Sequence, residues 1–121
     1  MATSLIFVDV ECNEMANKAQ IYSDNDGIYD CTLNKTDDNN ETITYRMELL
    51  KVNEQTEYYL LIDKSGSSKL LESFHSNIEA AKSKFYSIFH DLTGNYWHLR
   101  ESFSKIRGHY SYIYSNDLNS S

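Results

Sequence analysis

The stretch SNIEAAKSKFYSIFHDLTGNYWH, residues 76–98, decides the fold. Ile78, Ala81, Phe85, Ile88, Phe89 and Leu92 recur at helical spacing and make one apolar stripe. Lys82, Lys84 and Asp91 lie off it. Ser76 and Glu79 are spaced as a capping box, which would satisfy free amide groups at the start of a helix. Gly94 suits the left-handed position that ends one, since it has no Cβ to clash. Thr93, Gly94 and Asn95 therefore predict a helix stop, and Trp97, the sole tryptophan, falls where the chain turns back. A lone Trp at such a joint predicts a packing anchor rather than a catalytic group.

Outside this segment the apolar period is two. IYDCTLN (28–34) sets Tyr29, Cys31 and Leu33 on one face. TITYRMELLKV (42–52) alternates Ile43, Tyr45, Met47 and Leu49 against Thr44, Arg46 and Glu48. TEYYLLID (56–63) is a third strand, joined to the second through the polar VNEQ as a hairpin. KLLESF (69–74) and HYSYIYS (109–115), with Tyr110, Tyr112 and Tyr114 alternating, complete the set. HLRESFS (98–104) predicts one short further helix. The polar runs SDNDG (23–27), NKTDDNNET (34–42) and SNDLNSS (115–121) predict loops or a frayed end. The sum is an α+β domain: an antiparallel sheet with one long helix packed on one face. Residues 1–20 read as an N-terminal extension, 21–115 as the domain and 116–121 as a disordered tail.

The chain has 121 residues, which suits one domain, and ten Tyr and five Phe give it material for a core. Its net charge of −7 argues against broad attraction to nucleic acid or anionic lipid. The charge is uneven: residues 1–63 hold 13 acids and 4 bases, whereas residues 64–109 hold 7 bases and 4 acids. Those seven bases, Lys64, Lys69, Lys82, Lys84, Arg100, Lys105 and Arg107, are the candidate contacts to nucleic-acid phosphates on a weakly basic face. A solvated helix face gives the same pattern.

Little else points to chemistry. Two cysteines, Cys12 and Cys31, make no disulfide framework and read as reduced thiols. Cys12, Cys31, His75, His90, His98 and His109 show no metal-ligand spacing, so no metal is expected. DKSGSSK (63–69) lacks the phosphate-loop pattern and reads as a hairpin turn. There is no G-x-S-x-G elbow. A hydrolase or transferase reading would need a pocket holding His98 or His109 beside a buried carboxylate. No cofactor is expected. No apolar run approaches the ~20 residues of a membrane span, and LIFV is too short for a signal peptide. The expected location is nuclear or cytoplasmic, not secreted, and the sequons at Asn34, Asn40 and Asn119 read as chance.

GIYDCTLN (27–34), TYRMELL (44–50), EYYLLI (57–62), EAAKSKF (79–85), TGNYWH (93–98) and FSKIRGHY (103–110), in that order, resemble the WGR domain of the poly(ADP-ribose) polymerases. The resemblance covers about residues 21–115. It implies an antiparallel sheet with a helix against it, and it marks Gly94, Asn95, Trp97, Phe103 and Tyr110 as structural anchors. In those polymerases the domain is not the catalyst; it helps grip a DNA break and relays that event through domain contacts. The family is named for a Trp-Gly-Arg triplet between two strands. The matching region here, LIDKSGSSKLL (61–71), is shortened and holds neither Trp nor Arg. Lys64 and Lys69 are its bases, and a lysine does not replace a planar guanidinium. The resemblance implies nucleic-acid or interdomain binding; with the triplet lost, the first expectation is a non-catalytic module that binds a protein partner, in a nuclear or chromatin-associated setting. The alternative is a divergent DNA- or RNA-binding domain using the basic second half.

Overall fold

The computed structural model describes residues 4–8, 19–52 and 57–113, with backbone alone for 4–8. The expectations for VNEQ beyond Val52, for Cys12, for Tyr114 and for the 116–121 tail lie outside the described residues, as do those for most of the first 20 positions.

The described elements are β1 (Ser4–Val8), β2 (Ala19–Ile21), β3 (Ser23–Asp24), β4 (Gly27–Ile28), β5 (Asp30–Thr36), β6 (Thr42–Val52), β7 (Glu57–Lys64), β8 (Lys69–His75), helix α1 (Ile78–Thr93), a 3-10 turn (Trp97–Ser102) and β9 (Ser111–Ile113). The main sheet has the order β1-β8-β7-β6-β5-β9, and β2 pairs with β6. Every pairing is antiparallel. The fold is thus α+β, an antiparallel sheet with one long helix.

Period two explains which face the helix covers. Tyr29, Cys31 and Leu33 align with Met47 and Leu49, then with Tyr58, Leu60 and Ile62, and all are buried. Phe74 of β8 joins them. Helix α1 brings Ala81, Phe85 and Phe89 to the same cluster, each fully buried. Each such aromatic side chain contributes about 1.5–3 kcal/mol through burial. The opposite face has a smaller apolar cluster that the alternation did not announce. Leu50 and Leu71 are buried there, packed by Ala19, Ile21, Tyr59 and Leu61.

The helix start differs from the capping-box expectation. Asn77, not Ser76, is the N-cap, and its Oδ1 accepts the Ala80 amide at 3.0 Å. Ser76 instead belongs to the turn after His75, whose φ of 54° reverses the chain as it leaves β8. Both residue types make good caps, so the backbone turn decides between them. Asn77→Ala should cost about 1 kcal/mol in urea denaturation, while Ser76→Ala should stay within about 0.5 kcal/mol. Equal losses would contradict this assignment. The helix ends as expected: Gly94 has φ 72° and its amide donates to the His90 carbonyl at 2.8 Å.

The expected closing strand is shorter than its alternating tyrosines suggested, three residues pairing Thr32–Asn34 of β5. Ser4–Val8, inside the stretch read as an extension, pairs β8 and forms the other edge of the sheet.

Candidate functional site

SDNDG, read as a loop, folds as the β3–β4 hairpin. It is a detour in a single lane along β6: Tyr22 N–H donates to the Leu49 carbonyl, and Leu49 N–H donates to the Tyr29 carbonyl. Tyr29 N–H closes the base of the detour on the Tyr22 carbonyl. The hairpin then folds down onto α1. Asp24 Oδ2 meets Lys82 Nζ at 2.9 Å, with both side chains less than one-fifth exposed. Tyr29 donates its hydroxyl to Asp24 Oδ2 at 3.1 Å and shares a 2.9 Å hydrogen bond with the Tyr86 hydroxyl. Lys82 therefore lies against the fold rather than on an open helix face.

Charge in this network is set by its partners. Burial pushes the Asp24 carboxyl up, but hydrogen bonds from Lys82, the Asp26 amide and Tyr29 outweigh it and hold it below the usual carboxylate range. The hydrogen bond to Asp24 holds Lys82 protonated above its usual range. Burial, then Tyr86 and Asp24, raise the Tyr29 hydroxyl. A depressed carboxylate stabilises the fold above its unfolded pKa of about 4 and loses that contribution as pH falls through the folded value. Asp24→Asn should cost about 1–3 kcal/mol at neutral pH. In urea titrations its deficit should shrink as the pH drops below about 4; a constant deficit would remove the charge argument.

Arg100 is also turned inward. Its guanidinium lies 4.0 Å from the Trp97 ring centre. It donates to the Trp97 carbonyl at 2.8 Å and to the Asp26 carbonyl. Gly27, at φ 119°, makes room for it: a Cβ there would strike the guanidinium. The hairpin and the 3-10 turn enclose a cavity of about 270 Å3 lined by Asn25, Asp26, His98, Arg100 and Glu101. His98 Nε2 lies 3.6 Å from Asp26 Oδ2. That carboxylate is 45% exposed, so the pair is not the buried one a general base would need.

The indole of Trp97 is 2% exposed. It meets Phe85 and Phe89 edge-on at 4.8 and 5.2 Å and stacks on Tyr29 at 6.0 Å. Asn95 ties its joint: Nδ2 donates to the Thr93 and Ser104 carbonyls, and Oδ1 accepts the Ser104 amide. Phe103 packs on Phe89 and Tyr112. Tyr110 is buried against Tyr45, and its amide donates to the Leu92 carbonyl.

A second polar region lies at the open end of the helix-side face. Lys35 continues the row of Cys31 and Leu33, and its Nζ lies 5.8 Å from the Tyr110 ring. Lys105 staples the turn before Tyr110, donating to the Ile106 and His109 carbonyls at 2.9 and 2.7 Å. Lys35, Lys105 and His109 line a common cavity of about 220 Å3 with Asn34, Thr36 and Ser111. Lys64 pairs in register with Tyr45 at the tip of β7. Lys69 lies where its charge helps to offset the burial that raises the Glu48 carboxyl. Lys84 and Arg107 are exposed. The structure thus places Lys82 and Arg100 in the hairpin contact, Lys105 in a turn, and Lys64 and Lys69 around the 65–68 turn. Lys82 and Arg100 are thus held against the hairpin. Sequence reading missed Lys35, because it sits among acids in the first half and only the β5–β9 pairing brings it to Lys105.

Among the described residues, no group of three His, Cys, Asp or Glu converges to hold a metal. No helix among the described residues is long and apolar enough to cross a membrane.

No protein-family profile matches the chain. Curated proteins do, among them three poly(ADP-ribose) polymerases. The chain is 31% identical over 112 residues to poly(ADP-ribose) polymerase 2 of Homo sapiens, covering 88% of the chain and 19% of that protein. It is 31% identical over 108 residues to poly(ADP-ribose) polymerase 1 of Caenorhabditis elegans, covering 82% and 11%. It is 33% identical over 97 residues to poly(ADP-ribose) polymerase of Drosophila melanogaster, covering 74% and 10%. The chain spans a fifth or less of the length of these relatives. Between 74% and 88% of this chain thus matches one short segment of each, and its sheet-and-helix fold agrees with the domain that the motifs 27–34 to 103–110 resemble. The chain is a homologue of the poly(ADP-ribose) polymerases over a segment consistent with their WGR domain, without the Trp-Gly-Arg triplet.

Proposed function

We propose that this chain is a non-catalytic, WGR-like interaction module that binds a protein partner. The observation that supports this most is where the bases go. Lys82 is paired with Asp24, Arg100 is stacked on Trp97 and bonded to backbone carbonyls, and Lys105 staples a turn. Each already makes contacts to its own chain, and the molecule carries a net charge of −7. Gripping a nucleic-acid backbone takes several bases free to displace counterions. A protein interface needs shape and a few anchors instead. The family resemblance alone suggests a nuclear or chromatin-associated complex as the setting.

One feature favours the nucleic-acid alternative: Lys35, Lys64 and Lys105 lie toward the same end of the sheet as Tyr45 and Tyr110. Mobility shift with nicked, blunt and single-stranded DNA at two salt concentrations separates the readings. The protein-partner reading expects no shift at low salt. Tight binding that weakens steeply with added salt would replace it with the alternative.

A further inference from the structure

We propose that the cavity between the β3–β4 hairpin and the 3-10 turn receives a lysine or arginine side chain of a partner protein, whose neighbouring apolar residues cover Tyr96 and Leu99. This rests on the protein-partner reading above and names the chemistry of that partner. The cavity, of about 270 Å3, is lined by Asn25, Asp26, His98, Arg100 and Glu101. Asp26 and Glu101 bring two carboxylates and Asn25 an amide carbonyl, all acceptors for an N–H donor. The Arg100 guanidinium lies over the Trp97 ring and donates to the Trp97 and Asp26 carbonyls, so it serves as part of the wall. Asp26 faces His98 at 3.6 Å, a contact that is an ion pair only when the imidazole is protonated.

The 3-10 turn sets an apolar shoulder beside this cavity. Residues three apart in such a turn eclipse one another. The Leu99 amide donates to the Tyr96 carbonyl at 3.0 Å, closing the first of these steps. Three pairs result. Trp97 and Arg100 face inward, one over the other. His98 and Glu101 face the cavity. Tyr96 and Leu99 face out, each 62% exposed. Tyr96 is nonetheless held, since its ring stacks on His90 of α1 at 4.6 Å and 25°. A large ring that is exposed yet fixed offers contact area with little rotamer entropy left to lose.

Charge complementarity selects the occupant. The net charge of −7 draws cations toward the molecule as a whole. The cavity beside β9 carries Lys35 and Lys105 and repels them, so the hairpin cavity is where a base can settle. A bare metal ion does not fit, since no three His, Cys, Asp or Glu converge among the described residues. Singly exposed apolar side chains are ordinary, but here two share one side of one turn, next to a polar cavity. A polyamine would answer the carboxylates and leave Tyr96 and Leu99 wet. A protein segment with a cationic residue flanked by apolar ones answers both, as an anchored interface core with a polar partner at its side.

The test is an amide-shift titration of the full chain with three probes: a degenerate peptide pool holding lysine or arginine between leucine and phenylalanine positions, the same pool with glutamine in place of the base, and spermine. The expected result is shifts at Asn25–Gly27 and His98–Glu101 with the cationic pool, none with the glutamine pool, and a weaker response to spermine. Glu101→Gln, at an exposed position, should weaken binding of the cationic pool about tenfold and leave thermal stability unchanged, which keeps the reading separate from misfolding. Leu99→Ser should weaken binding of the peptides but not of spermine. Equal binding of the two peptide pools, indifference to Glu101→Gln, or spermine binding as tightly as the cationic pool overturns the cavity assignment, and so does silence from all three probes. None of these outcomes removes the protein-partner reading, which falls to the salt-steep DNA binding described above.

Discussion

Trp97→Ala should remove about 3–5 kcal/mol of folding stability, most of what a domain of this size holds. The residue touches every layer of the core. It sits edge-on to Phe85 and Phe89 of α1, stacks on Tyr29 at the base of the hairpin, and meets Tyr112 of β9 at 6.2 Å. Alanine would leave a cavity lined by four aromatic rings that cannot close on it together. It would also take away the surface on which Arg100 is laid. The indole nitrogen is buried and has no hydrogen-bond partner among the described residues. The contribution is therefore packing, and Trp97→Phe, which keeps a ring and drops the unsatisfied donor, should lose much less. Denaturation followed by far-UV circular dichroism measures both. A loss below about 1 kcal/mol for the alanine variant would show that the joint is not a packing anchor.

Gly94→Ala should be the next most costly change, at roughly 2–4 kcal/mol. Two independent effects add. A left-handed φ of 72° brings the new Cβ too near the backbone. The same Cβ would lie 2.5 Å from Ile106 Cδ1, well inside contact distance. The two can be separated with a double-mutant cycle. Ile106→Ala in the Gly94→Ala background removes the collision and leaves the backbone strain, so part of the loss should return. Full recovery would mean that the backbone conformation costs nothing. No recovery would mean that Ile106 moves aside freely.

Local rules carried far in this chain where burial acts on one element at a time. Tyr29, Cys31 and Leu33, then Ile43 to Leu49, announce their face because a pleated strand shows alternate residues to one side. Phe85 and Phe89 announce theirs through the helical period, and Gly94 announces the stop through its missing Cβ. The lapses arise where two distant segments decide together. Asp24 looks like a loop acid until the hairpin folds onto α1, and Lys82 looks like a solvated lysine until Asp24 arrives from 58 positions away. Lys35 and Lys105 converge through β5 and β9, a pairing that no local pattern encodes. Asn77 displaced Ser76 as the cap because the turn at His75 sets which residue enters the helix. Leu50 and Leu71, on the face turned from the helix, were hidden by a pattern that follows only one side of a strand. The candidate site was less legible than the fold for the same reason: its members come from both halves of the chain.

Strand β6 is flanked over Tyr45–Val52 by β7 on one side, and along its length by β5, the Tyr22–Tyr29 junction and β2 in turn on the other. From Tyr45 to Val52 its backbone protons have no edge from which to fray. Solvent deuterium should reach Met47 and Leu49 only when the entire domain opens, so their exchange rates report global stability, whereas those of β9 report local loosening at the rim.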